Sequence, residues 1–330
     1  MGMNGNYSHL VSFALEQPWA VTPAMLRVVA TILAERMAGQ RRSPDEIAAA
    51  TAARTPALPR SAVPATLAVL PVHGVLSPRM NLFSEMSGGA TYEGLTAQLK
   101  ALVADSRVHT VVLDVDSPGG SVAGAGEFAE TVRWAATKKP VIAQAQHAMC
   151  SAAYWVCSGA TQIIASPSAM VGSIGVFSIH DDLSAALANL GVRRTYIAAG
   201  KHKVDGNETE PLSSAVRERI QAKVDLMYGR FVGDVATGRG VPVQTVRERF
   251  GAGDTLFGTE ALTLGMVDSI GTLENTIITA AAGPVIAPRL MAERAEAART
   301  ALAPFKDELA RATLSAHRRT LVMHNVGQNR

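Results

Sequence analysis

Residues 109–121, HTVVLDVDSPGGS, carry the reading that decides the fold. Val111 to Val115 form an apolar, β-branched run of the kind buried on both faces of a sheet. Ser117-Pro118-Gly119-Gly120 closes that run with a turn, and a helical pattern opens at Ser121. Further β-rich runs lie on either side: LAVLPVHGVL (67–76), PVIAQAQ (140–146), TQIIASP (161–167), GVFSI (175–179) and RRTYIA (193–198). Helical patterns fall between them at 91–104, 121–136, 151–159 and 181–190. Strands that alternate with helices predict βαβ units, a mainly parallel sheet and an α/β fold. In such sheets the working residues gather at the carboxyl ends of strands.

The flanks read differently. Thr22 can cap a helix over 22–39, Pro23 fits its first turn, and Met25, Val29, Ile32, Leu33 and Met37 share one face. Ser43 and Glu46 make a capping box for a second helix. Pro56, Pro59 and Pro64 then mark an extended linker. After residue 200 an amphipathic helix is expected over about 213–237, followed by two short helices in VPVQTVRERF and GTEALTLGMVDSIG. The expected organisation is a helical segment with linker over 1–65, a catalytic-size α/β domain over 66–275, and an Ala-rich helical tail over 276–330.

Composition excludes several classes. The chain of 330 residues is 48% hydrophobic with a net charge of only +3, and no Lys/Arg block suits a nucleic-acid stripe. An aromatic share of 5% also argues against base-stacking surfaces. Cys150 and Cys157 have neither metal nor disulfide-framework spacing, which predicts a reducing compartment. The first twenty residues lack a signal-peptide pattern, and no run reaches a membrane span. A cytoplasmic protein with no membrane span, no metal and no cofactor is expected.

Four short stretches carry chemistry, each with a plain structural alternative. SPGG (117–120) can point backbone amides outward together, which suits an oxyanion or a phosphate, or it is a simple strand-to-helix turn. CSAAYW (150–155) places Ser151 at a helix start, where a serine is ordinarily a cap. The small residues Ala148, Ala152 and Ala153 leave room there for a substrate backbone. GSIG (172–175) is a tight turn, or it sets the Ser173 hydroxyl to orient a base. GKHKVDGN (200–207) holds two lysines that are solvated charges unless one is desolvated. Less than about 0.1% of an ordinary lysine is neutral at pH 7, so a lysine base needs its pKa lowered by ~3 units.

These four motifs, in this order, resemble the signal peptide peptidase A (SppA) family of serine–lysine peptidases over residues 67–272. The resemblance implies a ClpP/crotonase-type α/β fold of repeated β-β-α and βαβ units. By motif it implies Ser151 as nucleophile, Lys203 as general base and Ser173 as a support for the lysine amine. Gly119 and the Ala152 amide would form the oxyanion hole, with Pro118 and Gly120 shaping the loop. Where that family often has Ser-Gly-Gly, this chain has Ser151-Ala152-Ala153, which narrows the space beside the serine.

The flanks and the GKHKVDGNETEPL stretch resemble the phage and prophage branch, whose members trim scaffold, portal or their own tails during head maturation. That implies polypeptide substrates, a homo-oligomer, and work in host cytoplasm or an assembling head. Other readings stay open. One is a soluble protein-degrading enzyme of the same family. Another is a Ser-His-Asp protease using His180 with Asp181 or Asp182. Others are a Cys150 nucleophile, a crotonase-like acyl-CoA enzyme, and a non-catalytic capsid assembly protein.

Overall fold

A computed structural model describes residues 18–22, 66–79 and 89–281. The helices expected at 22–39 and 43–53, the proline-rich linker and the tail beyond 281 lie outside the described residues. The chain begins with strand β1 (Trp19–Val21), then β2 (Leu67–His73), helix α1 (Tyr92–Ala104), β3 (Thr110–Ser117) and β4 (Gly119–Ser121). α2 (Ala125–Ala136), β5 (Val141–Cys150), α3 (Ala152–Cys157), β6 (Gln162–Ala165) and β7 (Met170–Gly172) follow. The rest is α4 (Ser184–Asn189), α5 (Ser214–Arg239), α6 (Val243–Arg249), β8 (Thr255–Phe257), α7 (Gly258–Thr263), β9 (Ser269–Ile270) and α8 (Leu273–Ala281).

The sheet is mainly parallel, in the order β2-β3-β5-β6-β9, as the alternation predicts. β5 is the spine. Its first half pairs with β3 and β6, and its last residues, Ala148 to Cys150, pair with Met170 to Gly172 of β7. One face of the sheet meets α1, α2 and α3 in the main core, with Leu70, Leu113, Phe128, Met149 and Trp155 buried. The other face sets Leu67, Val112, Ile142 and Ile164 against Leu273, Ile277 and Ala280 of α8. Burial on both faces explains why β3 reads as an almost unbroken apolar run. α8 runs through residue 276 to Ala281, so the helix that seals the sheet crosses the boundary expected at 275.

Two β-rich runs do not become strands. RRTYIA (193–198) is exposed throughout, and GVFSI contributes only a bridge between Phe177 and Trp19. β-branched residues form a strand only where a partner edge exists, and residues 193–198 have none among the described residues. No helix among the described residues is long and apolar enough to cross a membrane.

α5 has two halves. Its second half is buried, with Phe231 stacked on Trp155 at 4.6 Å between ring centroids. Arg239, near its end, makes a bidentate pair with Asp268, at 2.8 and 3.1 Å. The Arg239 side chain is only 3% exposed. Breaking one member of a buried pair leaves an uncompensated charge. Arg239→Met is therefore expected to cost about 3–5 kcal/mol, read as a lower urea midpoint at unchanged slope. The first half of α5 is mostly exposed, and against it rests the loop 200–212, with Gly206 packed near Val216 and Ile220.

Candidate active site

Ser151 directly follows β5, at the carboxyl end of the spine strand, and opens α3. Its backbone is forced: φ is 53° and ψ −121°, a conformation rare for any residue with a Cβ. The Ser151 N–H donates to the Gly172 carbonyl at 2.6 Å, and its own carbonyl accepts from Trp155 N–H at 2.9 Å. It therefore does not cap the helix with its side chain. The Oγ is buried and has no hydrogen-bond partner among the described residues. A strained, unpartnered hydroxyl contradicts the simple capping role that a serine at a helix start ordinarily has.

The register of β5 with β7 brings Ser173 to the same end of the sheet, because Cys150 pairs with Gly172. Ser173 is also buried and also sits at φ 53°, with its N–H donating to the Asp254 carbonyl at 2.7 Å. On the other side stands the SPGG turn. Gly119 has φ 103°, and a Cβ added there would collide with the Ala20 carbonyl and come within 2.9 Å of Ser151 Cβ. A Cβ at Gly120 would collide with the Leu76 carbonyl. Both glycines are thus required by close backbone approach. Pro118 offers its carbonyl to Thr22 N–H at 3.1 Å.

Ser117 is the residue that holds this turn, a role that no motif in the sequence assigns to it. Its Oγ donates to the Gly74 carbonyl at 2.7 Å and accepts from Gly119 N–H at 3.2 Å. Ala152 is the first residue of α3, so its N–H has no acceptor within the helix. Ser151, Ser173, Gly119 and Ala152 are thereby drawn around one point.

Lys203 is not drawn there. It lies exposed in the 200–207 loop, and Ser151 Oγ receives no hydrogen bond from it. Beside it, His202 and Arg219 both engage Asp205, whose carboxyl is held below the usual range first by the His202 bond. His180 faces the same arm, with Nε2 3.0 Å from the Asn207 carbonyl oxygen. His147 pairs with Asp116 at 3.2 Å on the surface.

Cys150 neighbours Ser151 but is a different kind of group. Burial pushes its thiol up to about 12, and that of Cys157 also to about 12. Both stay protonated at neutral pH, whereas a cysteine nucleophile acts as thiolate. Iodoacetamide at pH 7.5 is therefore expected to leave both unmodified in the native protein and to alkylate both in urea, read by mass spectrometry.

The model for peptidase family S49 matches residues 133–284. Capsid assembly protease C of Escherichia phage lambda is 35% identical over 279 residues, which cover 80% of this chain and 63% of that protein. Head-tail preconnector protein GP5 of Enterobacteria phage P21 is 34% identical over 260 residues, covering 74% and 51%. The putative protease slr0021 of Synechocystis is 32% identical over 193 residues, covering 58% and 69%. The chain thus spans between half and two thirds of the two phage relatives.

Proposed function

This chain belongs to peptidase family S49, and on that premise we propose that it is a serine endopeptidase in which Ser151 is the nucleophile and Lys203 the general base. One observation carries the reading: a buried, unpartnered hydroxyl on a strained backbone at the carboxyl end of β5. Strain of that kind costs stability and is kept where a functional geometry needs it.

The reaction is acyl transfer to water. Lys203 takes the Ser151 proton as Oγ attacks a peptide carbonyl carbon, and the tetrahedral oxyanion is held by the Gly119 and Ala152 amides. Gly119 N–H gives up its long bond to Ser117 Oγ for a stronger, charge-assisted one. The protonated lysine then gives its proton to the leaving amine, and water, losing a proton to the neutral lysine, attacks the acyl carbon and releases it from Ser151. Ser173, one register step away, orients the lysine amine. No metal or organic cofactor enters these steps.

Lys203 comes from a neighbouring copy of the chain. The arm that bears it exposes Leu190, Val192, Tyr196 and Ile197, the last of them completely. Such side chains are expected at a protein interface, and burial there supplies the desolvation that a lysine base requires. Residues 66–281 form the peptidase unit, and the working assembly is a homo-oligomer.

The similarity to capsid and head–tail proteins of two phages supports a role in head maturation, with scaffold, portal or the chain's own tail as substrate. The test is intact-mass spectrometry of the purified chain incubated with an unfolded protein and, separately, with a portal protein. Wild type and His180→Ala should both produce fragments, and Ser151→Ala and Lys203→Ala none. Fragments from Ser151→Ala would overturn the assignment, and loss of cleavage in His180→Ala alone would move the base to that residue. Preference for the unfolded protein over portal would favour general degradation.

A further inference from the structure

The cleft beside Ser151 already contains a strand of its own chain. β1 runs antiparallel to β4, with Trp19 opposite Ser121, Ala20 opposite Gly120 and Val21 opposite Gly119. Its other edge meets Phe177: Trp19 N–H donates to the Phe177 carbonyl at 2.8 Å, and Phe177 N–H to the Trp19 carbonyl at 3.0 Å. Thr22 N–H bonds the Pro118 carbonyl at 3.1 Å, and Val122 N–H bonds that of Pro18 at 3.4 Å. Trp19, Ala20 and Val21 are each no more than 2% exposed. The strand is held through its backbone on both sides, between the oxyanion turn and the segment that follows Ser173.

Its position relative to the nucleophile is close. The Ala20 carbonyl oxygen and Ser151 Cβ both press on the space beside the Cα of Gly119. With β1 in place Ser151 is 1% exposed, too little to meet an external peptide. Extended polypeptides are bound by adding a strand to exposed backbone edges, which gives affinity without demanding a particular sequence. Here the two edges that flank Ser151 are filled.

We propose that Trp19–Val21 is a cis-acting occupant of the substrate cleft, an autoinhibitory strand that an incoming extended polypeptide must displace. The proposal rests on the reading of Ser151 as nucleophile. A tethered segment competes at an effective concentration on the order of mM. Free peptide of the same sequence would therefore bind the intact chain poorly, and an assembled protein array, presenting many tails at once, would bind it better.

The experiment uses the full chain with Ser151→Ala, so that nothing is cut and binding alone is read. The probe is a fluorescein-labelled peptide of residues 17–26, QPWAVTPAML, followed by fluorescence anisotropy. Adding Ala20→Pro removes a strand N–H and expels β1, and the peptide should then bind at least about tenfold more tightly. Melting by circular dichroism checks that the double variant remains folded. A second readout needs no strand variant: hydrogen exchange at Trp19 and Thr22, whose amides bond the Phe177 and Pro118 carbonyls, should be slow in the free protein and fast at saturating peptide. Equal affinity for both chains, or no binding to either, or undiminished protection with peptide bound, overturns the proposal. The Ser151 assignment fails separately, by cleavage that survives Ser151→Ala.

Discussion

Ser151→Ala loses proteolysis by about 10⁴-fold or more, the scale set by removing a nucleophile from a serine peptidase, while its stability stays level. The second half of that statement is the sharper. Among the described residues the buried Ser151 hydroxyl has no hydrogen-bond partner, so deleting it breaks no bond there and removes a desolvated polar group. Alanine keeps the Cβ and with it the strain of φ 53°. Glycine does not. Holding a residue with a Cβ in a sparsely populated backbone region costs of order 1–3 kcal/mol. Glycine gives back roughly 0.5–1 kcal/mol of this as extra unfolded-state entropy. Ser151→Gly is therefore expected to be inactive yet more stable by about 1 kcal/mol, a rise in melting temperature of about 2–4 °C. The measurements are kcat/KM on a quenched peptide and thermal unfolding. Retained activity in the alanine variant sinks the nucleophile. A glycine variant that melts lower would show that the strain is not stored at this residue.

The parts of the fold legible in the sequence are those whose signal is local. Buried parallel strands read as apolar runs, and β3 lies where the sequence puts it, but Gly119–Ser121 is strand β4 rather than the end of a turn with a helix opening at Ser121, and α2 begins only at Ala125. The amphipathic helix expected over about 213–237 is present as α5, while its caps, Ser213 accepting from Val216 N–H and Gly240 in the left-handed conformation, are features the structure adds. What escaped depends on pairing between distant segments. WAV, the three residues that directly follow Pro18, is too short to show a period, and the sequence reading places it in a helical N-terminal segment. It became a strand because β4 and Phe177 offer it two edges. RRTYIA fails in the opposite way, with strong β propensity and nothing among the described residues to pair with. At the site, motif order singled out Ser151 and Ser173, but only the Cys150–Gly172 register sets them side by side. Gly119 could be suspected from sequence, whereas Ser117 as the brace of its turn follows from two hydrogen bonds that no spacing rule contains.

Complementation between two dead variants decides where the base comes from. Lys203→Ala is expected to match Ser151→Ala in its loss, and Lys203→Arg to fare no better, because a guanidinium stays protonated and cannot accept the serine proton. Neither result says which chain supplies the lysine. Mixing does. Ser151→Ala chains keep Lys203, and Lys203→Ala chains keep Ser151. If each serine is served by a neighbour in a symmetric assembly, random equal mixing makes about one site in four competent. Roughly a quarter of wild-type activity should then appear after unfolding the two variants together and refolding them. A dyad within one chain predicts none, since every chain lacks half of it. Ile197 provides the control. Its side chain is 100% exposed, so Ile197→Asp removes no packing among the described residues. It should leave the melting temperature unchanged while dispersing the oligomer in sedimentation and abolishing cleavage. An Ile197→Asp monomer that still cleaves would place the base within its own chain, and complementation would then fail as well.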